Sequence, residues 1–592
     1  MKEDNCDVVV VGGGLAGVCA AIQAARLGSR TVLIERELVL GGNSNASFRL
    51  HLLGAATPYG RETGIIEELE AEAGNRHAYH PHWGYLNSEW SAILRERCDE
   101  AGVDLCLKCV ANGVTMNGNR IERISAEDML SHGSRSFEVD GMVVDASGDG
   151  DVAFSAGATF RQGREASGEF DESFAPDEPD RKTMGSALLF SFRDAGHPVK
   201  FEPPEGTPVY EIHDDMPMGG HHAYIDESET PISGQPIIWQ AQYGWPNDTA
   251  TDDEVIYREL LKIVYGIVDH IKNRKPHGAE NYELNWISPF LGKRESRRFV
   301  GDYILNQNDM FKPTEFPDRV AYGGRSVDLH EVTDDGKHYE VIFYGKPPLY
   351  SIPFRSLYSR DVDNLLLAGR LISGTRVALG SYRVMKTLAT AGQAAGAGAA
   401  LCVRHGISPR KLYETRIGEL QQVLLKHDAT ILNLENDDDA DLARGARVTA
   451  SSSAPGGDVA NIVNGINRQF SPEPTNMWIS GEGMPQQITL ELQRPVEINT
   501  IYLTFDTDFS EMTDAATRPT AYDTTVRDYR LSVSHDNQRT ELARVTGNYQ
   551  RRRKHCFPTN PVNEIQLDVE LMNGKGNIAR LFEVRAYNEP LT

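Results

Sequence analysis

The sequence has little cysteine, a shortage of positive charge and no long apolar run, and each shortage removes a class of protein. Seven cysteines in 592 residues, an odd number scattered along the chain, exclude a disulfide framework and fit a reducing compartment. Cys106 and Cys109 form a C-x-x-C, but they sit in VDLCLKCVANGVTM, which alternates like a strand and has no second ligand pair beside it. They are read as small buried apolar residues. No His/Cys/Asp grouping has metal-ligand spacing, so no metal is expected. Lys and Arg total 60 against 85 Asp and Glu, a formal charge of -25, which disfavours nucleic acid as a partner. No segment reaches the roughly 20 apolar residues that span a bilayer, so no membrane association is expected. The opening MKEDNCDVVVVGGG lacks a basic flank and a small-residue cleavage site, and a cytoplasmic location is expected.

What is present is ordinary globular composition, 40% hydrophobic and 24% charged, in a chain long enough for roughly three or four units. The stretch CDVVVVGGGLAGVCAAIQAARLGSRTVLIER reads as strand, glycine turn, Ala-rich helix and second strand ending at Glu35. Gly12, Gly14 and Gly17, interleaved with Gly13, Leu15 and Ala16, form G-x-G-x-x-G in the context that gives the motif meaning. The first glycine permits the tight turn, the second lets backbone approach a pyrophosphate, and the third allows close helix–strand packing, with the helix N-terminus facing the phosphates. Glu35, eighteen residues after Gly17, is placed to accept from ribose hydroxyls and would repel a 2′-phosphate. Gly41, Gly42, Asn43 and Ser44 then form a small polar loop suited to the pyrophosphate and ribityl chain, which favours FAD over NAD. Ala368-Gly369-Arg370 and Gly380-Ser381-Tyr382-Arg383, opening an Ala-rich helix, supply a second helix N-terminus. Its dipole suits negative charge at the flavin N1 and C2 carbonyl.

The expected fold class is α/β: a Rossmann-type FAD-binding domain in two pieces (1–160 and 350–430), an inserted α+β substrate or cap domain (161–349), and a C-terminal β-sandwich (443–592). The sandwich follows from alternating segments such as YRLSVSHD and EIQLDVEL beyond an acidic connector, ILNLENDDDADLARGA.

The segments VVVVGGGLAGVCAAIQAARLG, RETGIIEEL, VVDASGDGDVAFSAGA, GKRESRRFVGDYIL and IPFRSLYSRDVDNLLLAGRLISGTRVALGSYRVMKTLATAGQAAG resemble the FAD-dependent oxidoreductase family of the glutathione-reductase structural class, a distant relative of fumarate reductase flavoproteins. The resemblance covers most of residues 5–405. It implies FAD contacts at Gly12 to Gly17, Glu35, Arg36, Gly42, Asn43, Val110, Ala146, Ser147, Gly148, Asp149, Gly369 and Arg370. One departure stands out: the family pattern S-x-H-V-A-L-G-S has a histidine where this chain has Arg376. The segments RGARVTASSS, NIVNGINR, NMWIS and IARLFEVRAY resemble discoidin, or galactose-binding-like, domains, for which packing against the catalytic body is expected here. The run Arg551-Arg552-Arg553-Lys554 reads as a solvated loop without a ligand.

For chemistry, a base near the flavin is the first thing to seek. His330, in a D-x-H that relatives share, and Arg376 are expected on the substrate face of the isoalloxazine, with His51 and Tyr382 as second choices. His221 and His222 are further candidates. Arg294, Arg297 and Arg298, with Arg376, are set against this as a carboxylate clamp, one or two of them structural. The preferred reaction is oxidation of a secondary alcohol on a sugar or glycoside, with hydride passing to flavin N5 and a histidine as base, which the sugar-binding-like C-terminal module and Trp83, Trp239, Trp245 and Trp286 favour; reduction of an unsaturated carboxylate by the arginine set is the alternative. A flavin-bearing recognition protein without turnover is the third reading. The partner in each case is a small molecule, and the sequence carries no signature of the electron acceptor.

The protein should carry stoichiometric, non-covalent FAD that denaturation releases. Glu35→Arg should weaken its retention by roughly 1.5–3 kcal/mol, the value of a hydrogen bond to a charged group, read by equilibrium flavin titration.

Overall fold

The computed structural model describes residues 2–79, 85–211, 238–239, 241–274, 277–333, 338–510, 521–536 and 538–590. Trp83, His221 and His222 lie outside the described residues. Strand β1 (Lys2–Val11), helix α1 (Leu15–Arg26) and strand β2 (Thr31–Glu35) form the expected unit. Val8 to Val11 are all buried, because a parallel strand covered on both faces is apolar throughout. Helices α2 (Ile65–Asn75) and α3 (Glu89–Ala101) follow. Strand β3 (Asp104–Leu107) joins β2 in parallel. Strands β4 (Cys109–Asn117) and β5 (Arg120–Asp128) lead by antiparallel pairing into β6 (Gly133–Asp145), which lies parallel to β1. Cys106 and Cys109 are buried and form no disulfide.

The chain then leaves the sheet and returns. Strand β7 (Leu365–Leu367) pairs in parallel with Val143–Asp145 of β6. Within the excursion, Leu188, Phe190 and Phe192 pack against Leu260, Val264 and Ile267 of helix α4 (Asp253–Asp269) as a separate core. Phe299, Leu305, Met310 and Tyr350 belong instead to the main core. The independent part of the expected 161–349 insertion is therefore centred on 188–291. After β7 come α5 (Arg376–Tyr382), α6 (Met385–His405) and α7 (Pro409–Lys426). Helix α6 lies backbone to backbone on α1: a Cβ on Gly392 or Gly396 would stand 2.2 or 2.1 Å from the Ala16 or Ala20 carbonyl oxygen. That close approach explains the Ala/Gly run AGQAAGAGAA.

The C-terminal region is an antiparallel β-sandwich with its own core around Trp478, Leu503, Tyr529 and Val584. Its two longest strands, Gln486–Phe505 and Arg552–Met572, are paired to each other with register shifts that bend them. The expected solvated run corrects here. Arg551 is 1% exposed, and its Nε stands 2.9 Å from Asp428 Oδ2 while Nη1 donates to the Phe505 carbonyl. Arg552 donates to the Lys426 carbonyl at the end of α7, where a cation meets the negative end of the helix dipole. Of the four, only Lys554 is exposed.

Asp428→Asn should leave Arg551 buried without its counter-charge. The expected loss is on the order of 3–5 kcal/mol, measured by urea unfolding of the full chain.

Candidate functional site

A cavity of about 1000 Å³ opens at the C-terminal ends of β1 and β2 and runs beneath the inserted region. Gly12 has φ +106, and a Cβ there would lie 2.3 Å from the Ala146 carbonyl oxygen; one on Gly17 would lie 1.9 Å from the Gly12 oxygen. Both glycines are thus required by packing. Gly14 differs: its Cβ would meet no protein atom within 4 Å, and it lines the cavity at the start of α1, which has no side-chain cap. The space above it is what a pyrophosphate on a helix N-terminus needs.

Glu35 lines the same wall and accepts from the backbone N–H of Gly13 (2.5 Å) and Glu37 (2.8 Å). Burial raises its pKa, against those two bonds. Two of its roughly four lone-pair sites remain for ribose hydroxyls. Arg36, Gly41, Gly42 and Asn43 line the wall beside it, with Leu15, Ala16, Ala146, Ser147, Gly148, Gly369 and Arg370. Arg370 Nη2 pairs with Asp149 Oδ1 at 2.6 Å, and its buried Nε has no hydrogen-bond partner. That orphaned donor, the uncapped helix and the open glycine together fit an adenine dinucleotide.

Other expected cofactor residues act behind the wall. Gly13 serves Glu35. Ser44 donates to the Gly41 carbonyl and accepts from Trp90 Nε1, which fixes the 41–44 loop. Asp149 holds Arg370 and Lys293, with Lys293 Nζ 2.6 Å from Oδ2; burial would raise its carboxyl, but those two cations hold it well below the usual range. Val110, on β4, stands outside the cavity lining.

The second helix N-terminus lies one turn later than expected. Helix α6 starts at Met385, again without a side-chain cap, and Val384, Met385 and Leu388 line the cavity. Ser381 and Tyr382 belong to the buried α5. Ser381 Oγ donates to the Arg325 carbonyl, Tyr382 OH donates to the Ile372 carbonyl, and neither lines the cavity. Arg376 is also off the wall. It is 3% exposed, with Nε 3.2 Å from Glu295 and Nη1 2.6 Å from Glu331. Two carboxylates consume its charge, so it is a structural ion pair.

The far end of the cavity is formed by His51, Trp239, Arg294, Arg325, Asp328, His330 and Arg383. His330 is therefore on the wall, yet both ring nitrogens have protein neighbours: Nδ1 is 2.9 Å from Gln242 Oε1 and Nε2 is 3.3 Å from Asp328 Oδ1. Burial, then the Arg294 charge, pushes its pKa down to about 3, so it is neutral at ordinary pH. Burial would raise the Asp328 carboxyl, but His330, Arg383 and Arg294 hold it down. Arg298, held by Glu295 and Glu165, is structural; Arg297 lies over the Phe154 ring, 4.1 Å from its centroid. Arg294 donates to the Gly185 carbonyl and has no carboxylate within ion-pair distance among the described residues. Arg383 has one, Asp328 at 3.1 Å, and its buried Nε has no hydrogen-bond partner. Of the tryptophans, Trp239 lines the cavity, while Trp245 and Trp286 do not. Sequence reasoning missed Lys293 and Arg325. Lys293 stands beside Arg294 in GKRESRR, but nothing local signals that it returns to Asp149.

A family model described as FAD dependent oxidoreductase matches residues 7–424. The probable electron transfer flavoprotein-quinone oxidoreductase YgcN of Escherichia coli (strain K12) is 34% identical over 67 residues, 11% of this chain and 16% of that protein. The fumarate reductase (cytochrome) of Shewanella frigidimarina is 56% identical over 42 residues, 7% of each. The chain thus matches 16% and 7% of the lengths of these curated relatives. A solved structure of CpGH89CBM32-5 from Clostridium perfringens, in complex with GalNAc-β-1,3-galactose, is 21% identical and covers 25% of this chain and 99% of its own, with a TM-score of 0.20.

Because His330 is buried neutral, the unfolded chain binds its proton more readily between pH 6.5 and about 3. The stability of the wild type minus that of His330→Asn should fall as pH drops through this window, measured by denaturant unfolding at each pH.

Proposed function

The chain belongs to the FAD-dependent oxidoreductase family, and from that premise we propose that its substrate is a small organic carboxylate held by Arg294 and Arg383 at the far end of the cavity. FAD supplies hydride transfer. The chain's own residues divide the remaining work. Gly14 and the α1 N-terminus would receive the pyrophosphate and Glu35 the ribose, and Arg370, whose buried Nε has no hydrogen-bond partner, would offer a further donor on that wall. Val384 and Met385, at the N-terminus of α6, line the same cavity.

The observation that carries the carboxylate is the charge balance there. Arg294 and Arg383 stand near one carboxylate, Asp328, with His330 neutral, so these four half-buried or buried groups together carry a net positive charge. Burial, then Arg383, lowers the Arg294 pKa to about 9, so it remains charged at neutral pH and gains from an incoming anion. A guanidinium and a carboxylate match as planar, two-point partners. The sugar-alcohol reading asks His330 to accept a hydroxyl proton. With Gln242 and Asp328 on its two nitrogens and its basicity depressed, it is poorly suited to that role. His51, on the loop that lines the same cavity, is the histidine to which we assign proton transfer. Seven cysteines outside any disulfide, six of them buried, support a reducing, cytoplasmic setting.

Anaerobic titration of the holoprotein with mono- and dicarboxylates and with neutral sugars, followed by flavin absorbance, tests this. Carboxylates should perturb the spectrum and sugars should not. Arg294→Met should raise the carboxylate dissociation constant about 10–100-fold, the loss of a charge-assisted bond. A response to sugars alone overturns the reading.

A further inference from the structure

The sandwich touches the wall of the redox cavity through one short loop. Residues 48–53 line the cavity with Phe48, Leu50, His51 and Leu53. The same loop continues to Gly64, and this second half is held from two sides. On the inner side, the Leu53 carbonyl accepts from Lys386 N–H in the first turn of α6. Glu62, 1% exposed, accepts from Ala55 N–H (2.8 Å) and from Thr387 Oγ1 (2.6 Å) with one oxygen. The loop and the helix start that lines the cavity are therefore one bonded unit.

On the outer side stands the sandwich. Tyr59 N–H donates to the Phe509 carbonyl at 2.8 Å. Arg61 donates to the Thr507 carbonyl and to Tyr522 OH. Arg468, fully buried, donates through Nη1 to the Arg61 carbonyl (2.7 Å) and to Tyr322 OH (2.5 Å), and through Nη2 to the Tyr59 carbonyl. Tyr322 OH itself donates to the Arg61 carbonyl at 2.8 Å. One sandwich arginine thus holds two backbone carbonyls of the loop, those of Tyr59 and Arg61.

The geometry points to Arg468 as a positioning residue for the flavin site: docking of the sandwich sets the loop 53–62 and, through Leu53 and Glu62, the N-terminus of α6 against the bound cofactor. The C-terminal region is then part of the redox site's frame. The proposal rests on the cavity holding FAD and is independent of the carboxylate reading. Failure of the wild-type protein to bind FAD would sink that premise before Arg468 is tested.

The test uses full-length holoprotein with Arg468→Met and, as a milder change that keeps the ring and alters one hydroxyl, Tyr322→Phe. Arg468→Lys is the conservative rescue. Three readouts are taken: circular dichroism for fold, the FAD dissociation constant, and the midpoint potential of bound FAD by anaerobic reductive titration. In folded protein, Arg468→Met should raise the FAD dissociation constant on the order of tenfold, within the range of one lost charge-assisted bond, and displace the midpoint potential. Tyr322→Phe should move both in the same direction by less, and Arg468→Lys should recover part of the loss. A lowered melting temperature with wild-type FAD affinity and potential, in whichever of Arg468→Met and Tyr322→Phe folds, overturns the proposal.

Discussion

The carboxylate of Asp149 is the constraint on which the cofactor wall depends. It is 5% exposed and holds Lys293 on one oxygen and Arg370 on the other, so it joins the end of β6, the inserted region and the return to the sheet at one point. A buried charge without a partner costs several kcal/mol, so none of these three segments can drift without exposing the other two. Local backbone is shaped to permit the contact. Gly148 has φ +88, and a Cβ there would lie 2.9 Å from an Arg370 nitrogen. Lys293 is further tied to Asp253 at the start of α4, and Asn43 Nδ2 donates to the Lys293 carbonyl. The insertion is thereby fastened to the 41–44 loop and to the turn after β6 together.

The buried and half-buried arginines of this protein separate by their counter-charges. Arg298 and Arg376 each face two carboxylates, which neutralise them and leave them as struts. Arg294 has none within ion-pair distance among the described residues, and Arg383 has one, Asp328, whose charge also reaches Arg294. Arg468 lies between these cases: its donors end on carbonyls and a tyrosine hydroxyl, an arrangement that satisfies geometry without cancelling charge. Residue type alone does not distinguish these roles, because each depends on which acids the fold brings near.

That dependence accounts for what could be read from the sequence. The β1–α1–β2 turn was legible because its demands are local: Gly12, Gly14, Gly17 and Glu35 have fixed spacing on a strand, turn and helix. The apolar LLL before Ala368 marked the return to the sheet for the same reason. Helix α6 was placed a turn early because Gly380 and Ser381 look like a helix start, while the break actually falls at the extended Val384. Arg376 looked like a substrate ligand because Glu295 and Glu331 are distant in sequence. Arg551 looked solvated because its partner Asp428 lies in another domain.

The position of β7 has a consequence for synthesis. Its pairing partner on β6 ends at Asp145, but β7 itself begins at Leu365, and the helix that fits against α1 follows later still, at Met385–His405. At about 5–20 residues per second of translation, the first βαβ unit emerges from the ribosome tens of seconds before the strand and helix that complete it. Throughout that interval the end of β6 and the small-residue face of α1 lack their native cover, and exposed strand edges invite wrong pairing. The nascent chain therefore has a long window of vulnerability, fixed by the order of its segments, in which chaperone shielding or slow refolding would decide the yield of active protein.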